Sequence, residues 1–73
     1  MLTNTLKLRA RIIECGYTLS SFAAALGLSR QGLRNKMYNI SDFRASEIAL
    51  ICKLLQIDSV EPYFFCNLNS QNG

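Results

Sequence analysis

Seventy-three residues, 49% of them hydrophobic, with a formal charge of +3, allow one small domain around one core. The chain has no histidine, and Cys15, Cys52 and Cys66 show no paired spacing, so neither a metal nor a disulfide is expected and the three read as small buried hydrophobes of a reducing cytoplasm. The longest apolar run is far too short for a membrane span, and Lys7, Arg9 and Arg11 interrupt the only N-terminal apolar segment, so no secretory leader is expected.

A first helix is predicted from about Thr3 or Asn4 to Cys15, closed by Gly16. Leu8, Ile12 and Cys15 make its inward stripe, which Leu6, Ala10 and Ile13 are expected to widen. Lys7, Arg9 and Arg11 on the other face read as solvated charge in preference to phosphate contacts. Tyr17 is placed to pack as a staple on the first turn of the next helix. That second helix has Thr18 as its N-cap and Leu19, Phe22, Ala23 and Leu26 at i, i+3, i+4 and i+7, which sets four apolar side chains on one face. Gly27 ends it.

Ser29 can cap a third helix, from Arg30 to about Tyr38, with Leu33 and Met37 turned inward. The opposite face carries Gln31 and Asn35, flanked by Gly32, Arg34 and Tyr38, with Arg30 near the start. Amide side chains pair bidentately with adenine and arginine with guanine, so this face has the chemistry of base reading. Gly32 costs an interior helix about 1 kcal/mol relative to alanine. It either lets the backbone approach DNA closely or leaves the helix marginal until bound. Asn39 then supplies a left-handed turn, and a loop from Asn39 to Arg44 follows, with Phe43 as a core plug.

A fourth helix is predicted over about Ala45 to Gln56, with Ile48, Ile51, Cys52 and Leu55 inward and Glu47 suiting its positive end. Leu50, Leu54 and Ile57 add a second apolar line that needs a cover. The next segment, DSVEPYFFCN, is expected to form a brief fifth helix capped by Asp58 or Ser59, with Pro62 in its first turn. Tyr63, Phe64 and Phe65 either close the core or form a homodimer patch. The domain is set at residues 1–66, and 67–73 reads as a frayed polar tail.

The stretch TLSSFAAALGLSRQGLRNKMYN resembles the helix-turn-helix of the phage repressor and Cro family, also called XRE-type regulators. Cap Thr18, the Phe22-Ala23 pair, the Leu26-Gly27 turn, Ser29 and the Leu33 anchor carry the likeness, which extends over roughly residues 6 to 65. It implies an all-α, lambda-repressor-like DNA-binding domain, a compact bundle of four to five short helices, acting as a cytoplasmic transcription regulator. By the same resemblance, Arg30, Gln31, Arg34 and Asn35 would read bases, and Thr18, Ser20, Gly32, Lys36, Tyr38, Ser41 and Arg44 would lie along the DNA backbone. Three departures stand out. Leu19 replaces a glutamine that contacts phosphate, Asn39 replaces a glycine, and Ile12 with Met37 replaces a buried arginine–glutamate pair.

Residues 17–46 carry a net +3 while residues 47–73 carry −2, so positive charge gathers on and just after the proposed reading helix. The expected partners are double-stranded DNA and a second copy of the chain, with no cofactor, metal or membrane. A protein-binding adaptor or antitoxin-like module on the same fold is the alternative. An enzyme is not expected, because no carboxylate pair, glycine-rich phosphate loop or metal spacing is present.

Overall fold

The computed structural model describes residues 2–65. In chain order they form β1 (Leu2–Thr3), α1 (Thr5–Glu14), α2 (Leu19–Ala25), α3 (Arg30–Met37), α4 (Ala45–Leu55) and β2 (Phe64–Phe65). The two strands pair antiparallel, with Leu2 opposite Phe65 and Thr3 opposite Phe64. The fold is therefore mostly helical but not all-α. None of the described helices is long and apolar enough to cross a membrane.

Helix boundaries follow local chemistry. The side chains of Asn4, Thr18 and Ser29 each accept an amide hydrogen from the first turn, from Lys7, Ser21 and Gly32 respectively. Tyr17 stacks edge-on against Phe22 at 5.0 Å, the staple across the start of α2. At the other ends, Gly16, Gly27, Asn39 and Gln56 adopt positive φ. In each case the next amide reaches back to the carbonyl five residues earlier, as in Tyr17 to Ile12 and Leu28 to Ala23. The α4 start differs. Arginine has no acceptor, so Arg44 cannot cap, and Glu47 alone serves the Arg44 amide through Oε1 at 2.8 Å.

The core is Leu8, Ile12, Phe22, Ala23, Leu33, Met37, Ile51, Leu55 and Phe64. Each large aliphatic or aromatic side chain here stabilises the fold by about 1.5 to 3 kcal/mol relative to exposure. Ile12 and Met37 are both fully buried. Phe43 plugs the side of the core, edge-on to Phe64 at 5.6 Å. Leu54 and Ile57 pack against the same cluster.

Several expectations are corrected. Leu6 and Ile13 are 78% and 57% exposed, and Ala10 is exposed too, so the buried stripe of α1 is narrow. Cys15 is exposed, its thiol 3.8 Å from the Leu55 carbonyl oxygen, while Cys52 is half-buried and burial pushes its thiol pKa up. Cys66 and the 67–73 tail lie outside the described residues.

No fifth helix forms among the described residues after α4. The amides of Tyr63 and Phe64 both bond to the Val60 carbonyl, making a single turn, and the chain then extends into β2. The N-terminal segment decides this by offering a strand partner, with the Asn4 amide bonding to the Tyr63 carbonyl at 2.7 Å. Strand alternation also separates the aromatics: Phe64 is 3% exposed and Phe65 46%.

Candidate nucleic-acid interface

α2 and α3 pack closely on each other across the Gly27 turn, and Leu33 and Met37 bury the back of α3 completely. Leu19, where the resemblance would place glutamine, is half-buried against the core. With its back fixed, α3 turns Arg30, Gln31 and Arg34 to solvent, where they line an open concavity of about 370 Å³. Gln31 Nε2 donates to Asn35 Oδ1 at 2.9 Å, one helical turn away. The Arg34 guanidinium lies 5.1 Å from the Tyr38 ring centre, a cation–π contact that extends this surface beyond the helix end. The four proposed base-reading residues thus fall on one side of α3.

Gly32 sits next to the cap. A Cβ there would come within 3.1 Å of Ser29 Oγ, the atom that accepts from the Gly32 amide. Its missing side chain therefore leaves room for the cap of α3, a reason that sequence pattern did not supply.

The proposed backbone-contact residues divide into two groups. Ser20, Ser41 and Arg44 are exposed, as is Thr18, whose hydroxyl oxygen and amide are shared with Ser21 in a reciprocal cap. Lys36 is different. Its Nζ lies 2.8 Å from Glu47 Oε1, and the two side chains are only 14% and 13% exposed. Lys36, expected along the DNA backbone, is engaged here in an ion pair that joins α3 to α4. Burial raises the Glu47 pKa, but the bonds from the Arg44 amide and Lys36 and the adjacent positive charges outweigh it, so the carboxyl is held below its usual range.

Asn39 does more than turn the chain. Its Oδ1 accepts from the Thr3 amide at 2.8 Å and its Nδ2 donates to the Thr3 carbonyl at 3.1 Å, pairing with the outer edge of β1. The Thr5 hydroxyl donates to the Met37 carbonyl. Together these bonds tie the N-terminal strand to the end of α3. On the far side, Arg11 Nε and Nη2 donate to the Leu55 carbonyl at 3.1 and 2.9 Å and satisfy the end of α4, so Arg11 has a structural task beyond solvated charge. None of these bonds spans a sequence-local spacing, which is why pattern reading missed them. The Gln31–Asn35 bond is the exception, since an i, i+4 amide pair is visible in the sequence.

The aromatic trio does not form one patch. Phe64 belongs to the core, and the Tyr63 ring is half-buried with Lys7 Nζ 5.7 Å from its centre. Phe65 stays outside, opposite Leu2, which is 45% exposed.

Residues 1–67 match a family model described as a protein of unknown function, DUF739. The chain belongs to this family. The DUF739 match runs from before β1 to just past β2, so it covers the sheet as well as the four helices. No curated protein and no solved structure matches the sequence.

Proposed function

We propose that this DUF739 protein is a sequence-specific regulator that binds double-stranded DNA, with α2, the turn and α3 acting as a helix-turn-helix of the phage repressor and Cro type. The observation that carries this reading is the outward face of α3, where Arg30, Gln31 and Arg34 surround one concavity while Leu33 and Met37 anchor the helix from behind. A helix so held can enter the major groove as a rigid ridge, with guanidinium and amide groups at base-edge height. Thr18, Ser20, Tyr38, Ser41 and Arg44 would contact the backbone on either side and set the register. Two copies on a two-fold site, about one helical turn apart, would supply useful affinity from so small a module.

A second reading, a protein-binding adaptor, is favoured by two findings. Leu19 is turned into the core and Lys36 is neutralised by Glu47, and each removes a cation or amide from the phosphate-facing set. Salt separates the two readings. Selection from random duplex DNA by the full chain at low salt should yield a consensus, and affinity for it should fall steeply as salt is raised, by about 0.9 log unit per log unit of salt for each phosphate neutralised. Arg30→Ala and Arg34→Ala should each weaken binding. Selection of no sequence at low salt would transfer the case to the adaptor.

A further inference from the structure

Resting on the DNA reading above, we infer that Gln31 and Asn35 are not two independent base readers: Gln31 reads an adenine, and Asn35 is a positioning residue that denies Gln31 the alternative of guanine. The central observation is the 2.9 Å bond from Gln31 Nε2 to Asn35 Oδ1.

A glutamine amide can engage a purine in the major groove in two ways. It can accept from adenine N6 and donate to N7, or turn both amide hydrogens toward the N7 and O6 acceptors of guanine. The first mode needs one hydrogen and the oxygen; the second needs both hydrogens. With one hydrogen given to Asn35, the first mode remains open and the second is closed. The bond therefore converts a tolerant side chain into one that discriminates between purines.

Location supports the same division of labour. A reading helix presents its N-terminal residues to base edges. Gln31 is the second residue of α3 and exposed, whereas Asn35 lies one turn on and is half-buried. The Asn35 carbonyl also accepts from the Ile40 and Ser41 amides at 2.8 and 3.2 Å, so residue 35 is anchored where the chain leaves the helix. The shorter Asn35 side chain therefore rises from a backbone position held at the helix end, and Gln31 reaches it from one turn nearer the helix start.

The test uses the full chain and the duplex it selects, with each adenine in turn replaced by guanine. Wild type should prefer adenine at one position by on the order of tenfold or more. Gln31→Ala should erase that preference. Asn35→Ala should lower the adenine-to-guanine ratio severalfold at that same position and leave the other positions unchanged. Asn35→Asp keeps the acceptor and loses the donors. It should restore the ratio, although its added negative charge lowers affinity for every duplex. In the free protein, nitrogen-edited NMR should show one Gln31 side-chain amide proton shifted downfield in wild type and Asn35→Asp but not in Asn35→Ala.

The inference is overturned if Asn35→Ala removes preference at a second base pair while the Gln31 position is untouched, or if Asn35→Asp has the same ratio as Asn35→Ala. Both outcomes require a wild type that selects DNA. A wild type that selects none defeats the DNA reading itself and this inference with it.

Discussion

The back of α3 is held by β1, α1, α2 and α4, whereas its front touches little beyond its own helix and Tyr38. Behind, Leu33 and Met37 are buried, Lys36 is paired with Glu47, and Asn39 is bonded to both backbone groups of Thr3. In front, the Gln31–Asn35 bond and the Arg34–Tyr38 stack are local contacts within about one turn of the chain. Orientation is thus set from behind, and the exposed chemistry can vary without unfolding the domain.

That contrast can be tested on stability, from the largest expected effect to the smallest. Leu33→Ala removes the anchor between α2 and α3 and should destabilise the fold by about 2 to 5 kcal/mol in denaturant unfolding. A loss below about 1 kcal/mol would mean that the buried stripe is not what pins the helix. Lys36→Ala leaves Glu47 with little solvent and without its ammonium partner, and should cost about 1.5 to 3 kcal/mol, the range for a hydrogen bond to a charged group.

The same pair makes stability depend on pH. The Glu47 carboxyl is held below its usual range in the folded state, so its contribution is complete above the unfolded value, near pH 4, and is lost as pH falls further, through the folded value. Glu47→Gln should flatten that acid limb in a thermal-unfolding series. An unchanged acid limb would show that the pair is not linked to folding.

Two left-handed positions give a smaller and opposite pair of effects. Gln56 has φ of 54° at the end of α4, and a non-glycine residue there costs about 1 kcal/mol or more, so Gln56→Gly should stabilise the protein by about that amount. Asn39 has φ of 66°, yet Asn39→Gly should destabilise by about 1 kcal/mol, because two hydrogen bonds to Thr3 are lost. Equal signs for the two variants would remove β1 from the support of α3. At the far end of the scale, Arg34→Ala on the front should change stability by less than about 0.5 kcal/mol. On the DNA reading, in which Arg34 reads a base, it should still weaken binding to the selected sequence and relax the preference at the base pair that Arg34 contacts.

The helices α1, α2 and α3 were legible because each is bounded by a short-range signal, and α4 was legible from its inward stripe of Ile48, Ile51, Cys52 and Leu55. Asn4, Thr18 and Ser29 accept from amides three residues on, and Gly16 and Gly27 stand one position past the last helical turn. The outward set of α3 was legible for the same reason, since 3.6-residue periodicity places Gln31 and Asn35 opposite Leu33 and Met37, with Arg34 flanking them, once those two are assigned inward. The fold's closing segment was not. Tyr63-Phe64-Phe65 suits a helix turn or a strand, and only the presence of Leu2–Thr3 beside it chose the strand. Among the charged residues, Lys36 lies at helical spacing from the reading set and looks free until Glu47, eleven positions away, is brought beside it.

Local sequence by itself determined where helices start and stop, which side chains of α2 and α3 face inward, and the amide–guanidinium character of the surface that remains. Tertiary structure decided the pairing of the chain's two ends into β1 and β2, the withdrawal of Lys36 from the basic surface, and the second role of Asn39 as a partner for Thr3. The physical reason is range. Caps, turns and periodicity act over three to five residues, whereas an ion pair or a strand partner is settled by which distant group the packed core brings within about 3 Å.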